Sequence, residues 1–119
     1  MQKVTGIGGV FFKVRDPAAM AEWYRKHLGI ESQDGYKVFD WNDPKGATVW
    51  SVFPKDAENF GPSTNNFMIN YRVADMTALL DELRSASIVI EKTESHEYGH
   101  FAWISDPEGN RIELWQPVA

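Results

Sequence analysis

The last third of the chain alternates between two kinds of side chain, from Phe101 to Trp115. This alternation predicts two strands, and the proline, glycine and asparagine at residues 106–110 predict a tight turn between them. Folding the strands about this turn pairs Trp103 with Glu113 and Phe101 with Trp115. One face of the predicted hairpin is therefore aliphatic, and the other is aromatic and carries one carboxylate.

The same order of elements occurs twice along the chain. In the first half, a strand-like run at residues 10–14 precedes Asp16, a predicted helix cap. In the second half, a strand at residues 67–73 precedes Asp75, the equivalent cap. The predicted helices cover residues 18–28 and 76–86, and further strands are predicted at residues 36–41, 48–53, 88–93, 98–105 and 111–116.

The repeat predicts a single domain, residues 1–119, made of two βαβββ modules. The modules cover about residues 1–54 and 66–119, and a linker at about 55–65, rich in Pro, Gly, Asn and Ser, joins them. A helix covers one face of each module and leaves the other bare. We therefore expect an α+β fold in which the modules form a curled mixed sheet around a central cup, with the helices on the convex side.

Alternation along each strand also predicts which side chains line the cup. Aromatic walls with few polar groups are usual for small-molecule pockets, and they favour planar or cationic ligands. The alternative is that the modules close tightly and the aromatic rings are simply core. The predicted ligand-binding residues are Phe11, Trp41, Trp50, Met68, Asn70, Arg72, Phe101, Trp103, Glu113 and Trp115.

Glu113 is the one carboxylate in this lining, and burying a carboxylate without a partner is costly. Arg72 and Lys13 are the candidates for an internal ion pair, in which case Glu113 has a structural role. His96 and His100 have the numbering parity of the aliphatic face, so we expect both of them on the face opposite Glu113.

Composition removes several classes of function. The chain has no cysteine, which excludes disulfides, thiolate metal sites and cysteine nucleophiles. Its net charge of −5 argues against nucleic acid and is compatible with a cationic ligand, although mild acidity is also common in cytosolic proteins. No apolar run is long enough to span a bilayer, so we expect a cytoplasmic protein with no membrane partner.

Three segments, residues 14–29, 73–83 and 106–115, together resemble the glyoxalase/bleomycin-resistance/extradiol-dioxygenase superfamily, also called the vicinal oxygen chelate fold. The resemblance rests on an Asp-Pro helix start that ends in Leu-Gly, on the second capped helix, and on Asp-Pro-Glu-Gly-Asn-Arg-Ile-Glu-Leu-Trp. It implies paired βαβββ modules, often in a homodimer. It also implies activities that range from isomerisation, thiol or epoxide addition and ring cleavage to drug sequestration.

The resemblance further implies a divalent metal in catalytic members, held by His, Gln or Glu at four strand positions. In this sequence the four positions are Gly9, Trp50, Met68 and Glu113. Only Glu113 is a suitable ligand, whereas catalytic zinc sites generally use three protein ligands. We therefore expect no metal or other cofactor, and a divalent metal at a shifted site is the alternative.

Two functional hypotheses follow. The first is a metal-free protein that binds a small aromatic or cationic molecule, with Glu113 as acceptor or counter-ion. The second is a lyase, isomerase or dioxygenase of the superfamily in which Glu113 is a metal ligand or a general base. A third, weaker hypothesis is a domain whose main role is to dimerise. The expected partners are a small-molecule ligand and a second copy of the chain.

Overall fold

This computed structural model of the protein describes residues 10–40 and 47–118, which form two α-helices and one four-stranded mixed sheet. The strand order is β1-β4-β3-β2, with β1 parallel to β4 and the other pairs antiparallel. Within the described residues, neither helix is long and apolar enough to cross a membrane. The elements are α1 (Pro17–Leu28), β1 (Ile69–Arg72), α2 (Met76–Ser85), β2 (Lys92–His96), β3 (Gly99–Ser105) and β4 (Arg111–Pro117), with a short 3-10 helix at Glu58–Phe60.

Both helices begin and end within one residue of the predicted positions. The Asp16 carboxylate accepts a hydrogen bond from the backbone N–H of Ala19 at 3.0 Å, and Asp75 does the same with Ala78 at 3.0 Å. These bonds satisfy N–H groups that have no partner within the first helical turn. Gly29 ends α1 in the left-handed conformation, with φ of 68°.

The second half of the chain forms a complete βαβββ module, which confirms the predicted α+β class. In the β3–β4 hairpin, Trp103 lies opposite Glu113 and Phe101 lies opposite Trp115, as predicted. The aliphatic face of this sheet packs against both helices and is almost fully buried. It contributes Ala102, Ile104, Ile112 and Leu114, which pack with Met20 and Tyr24 of α1 and with Met76, Leu80 and Leu83 of α2.

The predicted strands of the first half, at residues 10–14, 36–41 and 48–53, are not strands in the described part of the chain. A single bridge between Gln33 and Tyr36 is the backbone pairing found there. The reason is that alternation predicts which way side chains face but supplies no hydrogen-bond partner, and a strand requires both. The sheet of the described residues is therefore open, and the second module builds it alone.

The turn between β3 and β4 is built around the buried carboxylate of Asp106, which is only 5% exposed. Oδ1 accepts hydrogen bonds from the backbone N–H groups of Glu108 and Asn110, each at 2.9 Å. Oδ2 accepts from the Asn110 amide and from the Tyr24 hydroxyl, each at 2.8 Å. Because Tyr24 belongs to α1, this carboxylate joins the hairpin to the helix of the other half.

The neighbouring Glu108 makes a second connection between the hairpin turn and α1. Its carboxylate accepts hydrogen bonds from the backbone N–H of Arg15 at 2.7 Å and of Asp16 at 3.1 Å, just before the helix. These N–H groups, that of Arg15 first, lower the pKa of the Glu108 carboxyl below its ordinary value. The carboxylate form of Glu108 therefore stabilises the folded state.

We expect Glu108→Gln to lower the free energy of unfolding at neutral pH and to have little effect in acid. The pKa of this carboxyl is lower in the folded state than in the unfolded state. Its contribution is therefore complete above the unfolded pKa and disappears as the pH falls through the folded pKa. Urea unfolding of both proteins across this pH range measures the difference, with the exposed Glu82→Gln as control. A difference that stays constant with pH would contradict the assignment.

Candidate functional site

The sheet face opposite the helices carries the candidate site. Parallel pairing of β1 with β4 aligns Asn70 with Glu113 and Arg72 with Trp115. Residues directly opposite one another in a sheet share a face, so these side chains lie with Trp103 and its neighbours. We call this the aromatic face, and its members are Asn70, Arg72, Lys92, Glu94, His96, Phe101, Trp103, Ser105, Arg111, Glu113 and Trp115.

Two neutral donors hold the carboxylate of Glu113. The Asn70 side-chain amide donates to Oε2 at 2.6 Å, and the Trp103 indole N–H donates to Oε1 at 3.1 Å. The Arg72 guanidinium, the expected partner, donates to the carbonyl oxygen of Ala47 at 2.8 Å. Within the described residues no ion pair joins the Glu113 carboxylate to a cation.

Three aromatic rings lie nearly parallel beside this carboxylate. The Phe101 ring is 6.1 Å from Trp103 and 6.2 Å from Trp115, with interplanar angles of 19° and 7°. The Trp115 indole N–H donates to the carbonyl oxygen of Tyr98 at 3.0 Å. Gly99 makes room for this ring: its φ is 143°, and a Cβ there would lie 2.5 Å from the Trp115 indole nitrogen.

Two of the remaining predicted ligand-binding residues do not join this group. Phe11 is 94% exposed and Trp50 is 75% exposed, so neither ring packs against the sheet. Both belong to first-half segments that are not strands, which is why alternation did not fix their positions. Met68 lies half-buried directly before β1. Trp41 lies outside the described residues.

Strand β2 adds three polar side chains to the aromatic face that the sequence analysis missed. Lys92 lies opposite Trp103, Glu94 lies opposite Phe101, and His96 lies at the end of the strand. The Lys92 ammonium lies over the Trp103 ring, 5.7 Å from its centroid. The strand predicted at residues 88–93 overlaps β2 only at residues 92 and 93, because β2 spans Lys92–His96 and residues 88–91 are not a strand.

The predicted position of His96 is wrong. Its ring lies on the aromatic face, 5.9 Å from the ring of Phe101 and stacked on Tyr98 at 5.2 Å. The chain reverses at residues 97–98, and numbering parity does not carry across this turn. His100, on the next strand, keeps the predicted parity, and its Nδ1 lies 2.8 Å from the Ser95 hydroxyl.

A buried ion pair closes the other end of the aromatic face. The Arg111 guanidinium pairs with Glu91, which also accepts a hydrogen bond from the Ser105 hydroxyl at 2.8 Å. Gly61 of the linker packs directly against this guanidinium. The linker is thus held against the hairpin at the end of the face that lies farthest from His96.

The residue types at the superfamily's four metal positions do not fit a divalent metal. Trp50 is a donor, Met68 offers only a thioether, and Gly9, outside the described residues, has no side chain. Both oxygens of Glu113 already accept hydrogen bonds. Across residues 10–40 and 47–118 there is no group of three or more His, Cys, Asp or Glu that could hold a metal ion.

A sequence model of the Glyoxalase/Bleomycin resistance protein/Dioxygenase superfamily matches residues 6–114. The chain belongs to this superfamily. The match covers most of the chain, from the first predicted strand to the last one. Members of this superfamily differ in activity, so membership by itself leaves the function of this chain to its own residues. A comparison with curated proteins gave no match.

Solved structures of the superfamily share the fold along the whole chain. A glyoxylase/bleomycin resistance protein/dioxygenase domain from Frankia sp. EAN1pec has a TM-score of 0.59 at 15% identity, covering 98% of this chain and 100% of its own. Lactoylglutathione lyase from Agrobacterium tumefaciens has 0.60 at 16%, covering 97% and 96%. TnmS3, an antibiotic binding protein from Streptomyces sp. CB03234, has 0.60 at 19%, covering 99% and 100%.

Proposed function

We propose that this superfamily member binds a small aromatic or cationic molecule on the aromatic face, without the metal of the catalytic members. The proposal rests on the contacts of Glu113. Its carboxylate is held by Asn70 and Trp103, makes no ion pair in the described residues, and lies next to an aromatic ring. A fixed carboxylate beside an indole ring suits a cation, which both groups attract.

The parallel rings support the aromatic part of the proposal. A planar ligand can place its own ring against Phe101 and Trp115, and a stacked ring pair typically contributes about 0.5–1.5 kcal/mol beyond the burial of apolar area. TnmS3, an antibiotic binding protein with a similar fold, supports this part of the proposal, since the fold is compatible with such a role.

A second candidate is catalysis with Glu113 as general base, because a base must be held in position and Glu113 is held by two hydrogen bonds. The lyase from Agrobacterium tumefaciens shows that the fold is also compatible with catalysis. Elemental analysis after dialysis tests the metal-dependent version, with Glu113 as ligand. One bound divalent ion per chain, lost in Glu113→Ala, would contradict the metal-free proposal.

Binding is tested with two probes of the same shape, N-methylacridinium, which is a planar cation, and acridine, which is neutral at mildly alkaline pH. We expect the wild-type protein to bind the cation about tenfold more tightly than the neutral ring, because Glu113 attracts only the charged probe. Fluorescence titration measures both affinities. Equal affinities would contradict a role for the carboxylate, and no binding of either probe would contradict the proposal as a whole.

We further propose that the protein is a homodimer, as the family resemblance implies. Large apolar side chains of the first half are exposed, and burying them is favourable. Light scattering during size exclusion should give twice the mass of one chain, and Trp50→Ser should shift the protein towards monomer. A monomeric wild-type protein would contradict this. The exposed side chains are Val10, Phe11, Val38, Phe39, Val49, Trp50, Val52 and Phe53.

A further inference from the structure

Trp103 is only 3% exposed, although it belongs to the open aromatic face. Its indole N–H donates to Glu113, and Phe101 stacks beside it. The Lys92 side chain lies over the ring face, with its ammonium 5.7 Å from the ring centroid, which is a cation–π contact. The ring face of Trp103 therefore already holds an ammonium group, and this ammonium comes from the protein's own edge strand.

The carboxylate of Glu94 pairs with this ammonium. Glu94 Oε2 lies 2.8 Å from the Lys92 ammonium nitrogen, and Glu94 Oε1 lies 2.8 Å from His96 Nε2. Glu94 and Glu113 stand on β2 and β4, so they flank Trp103, which stands on β3 between them. The Trp103 ring face and the Glu94 carboxylate thus contact one ammonium group together, and Lys92 shows how such a group fits.

We propose that Trp103 and Glu94, beside Glu113, form a subsite for a primary ammonium group of the ligand, and that Lys92 occupies this subsite and competes with the ligand for it. The inference rests on the proposed function and deepens it. It narrows the ligand class to planar molecules that carry an amine on a short arm, and it makes Lys92 a residue that determines specificity.

Displacement of Lys92 is physically reasonable because little holds it. The side chain is 57% exposed, exposed ion pairs are weak, and fixing a lysine costs rotamer entropy that displacement returns. The alternative explanation is that Lys92 only protects the sheet edge from pairing with another strand, since β2 is an edge strand and lysine is common there. Protection of the edge predicts no effect of Lys92 on the binding of a ligand.

The test compares aminomethylanthracene, which carries a primary ammonium, with hydroxymethylanthracene, the neutral molecule of the same shape. Lys92→Met removes the charge and keeps the stem over the ring, so we expect it to bind the amine about threefold to tenfold more tightly than the wild type does. Binding of the neutral probe should change by less than about twofold. Lys92→Arg keeps the cation and should behave like the wild type, which makes it the matched control.

Adding Glu94→Gln to Lys92→Met should reverse the gain for the amine, because the ligand then loses the carboxylate that pairs with its ammonium group. Unchanged binding of the amine by Lys92→Met would overturn the subsite, and protection of the sheet edge would then be the remaining explanation for Lys92. Weaker binding would overturn it as well, since Lys92 would then contact the ligand itself. If the wild type and all variants bind both probes with equal affinity, the subsite is contradicted but the proposed function is not. If no protein binds either probe, the proposed function is contradicted as well.

Discussion

Replacing Asp106 by alanine should lower the free energy of unfolding by about 3–5 kcal/mol. The carboxylate accepts four hydrogen bonds while almost fully buried. Its removal takes this acceptor away from the buried Tyr24 hydroxyl and from three partly buried donors, the Asn110 amide and the backbone N–H groups of Glu108 and Asn110. Each orphaned donor costs about 1–3 kcal/mol.

Two other substitutions should lower the free energy of unfolding by less. Tyr24→Phe removes one of the four hydrogen bonds and should cost about 1 kcal/mol. Asp75→Ala removes an exposed helix cap and should also cost about 1 kcal/mol. Burial raises the pKa of Tyr24, so its hydroxyl remains a donor at physiological pH. Guanidinium unfolding of the three variants gives the ranking, and an Asp106→Ala loss as small as that of Asp75→Ala would contradict it.

The second large effect is expected on binding. Glu113→Gln should weaken the binding of N-methylacridinium by about tenfold to a hundredfold, because the substitution removes the charge beside the ring while the side chain keeps its size. Binding of neutral acridine should change by less than about twofold. The affinity for the cation should also fall as salt is added to the wild-type protein, since salt screens a half-buried carboxylate.

Two controls separate charge at the site from charge elsewhere. Glu82→Gln removes the same charge from the exposed surface of α2 and should leave both affinities unchanged. Thermal unfolding of Glu113→Gln shows whether the fold tolerates the loss of one hydrogen-bond acceptor. A folded Glu113→Gln protein with wild-type affinity for the cation would remove Glu113 from the site.

The β3–β4 hairpin has two separate roles. Asp106 and Glu108 contact α1 through Tyr24 and the backbone before the helix, so this part of the family motif holds the fold together. Glu113, further along the same motif, lies on the aromatic face. A match to the whole motif therefore reports the fold more strongly than it reports any activity.

The register of the β3–β4 hairpin was predictable because it depends on a turn and an alternation only a few residues away. The partners of Asp106 and Glu113 were less accessible. Tyr24 lies 82 residues from Asp106 in the chain, and Asn70 reaches Glu113 only because β1 is parallel to β4. Such contacts follow from topology, which local sequence patterns do not contain.

The aromatic face was only partly predictable for the same reason. The positions of Phe101, Trp103 and Trp115 follow from the hairpin, whereas those of Phe11 and Trp50 required strands that the described residues do not form. The β2 side chains were missed because the strand was predicted at residues 88–93, whereas β2 spans Lys92–His96. Sequence alternation therefore located the centre of the face, and strand pairing determined its edges.

The most direct test of ligand binding at the aromatic face is to follow the tryptophan indole N–H resonances in a nitrogen–proton NMR spectrum while N-methylacridinium is added. If the aromatic face binds the probe, the signals of Trp103 and Trp115 will shift in a saturable way, and so will the side-chain amide of Asn70. Trp23, which packs on the helix side of the molecule, will not shift. Shifts confined to Trp23 or Trp50, with Trp103 and Trp115 unchanged, would contradict the assignment of the site.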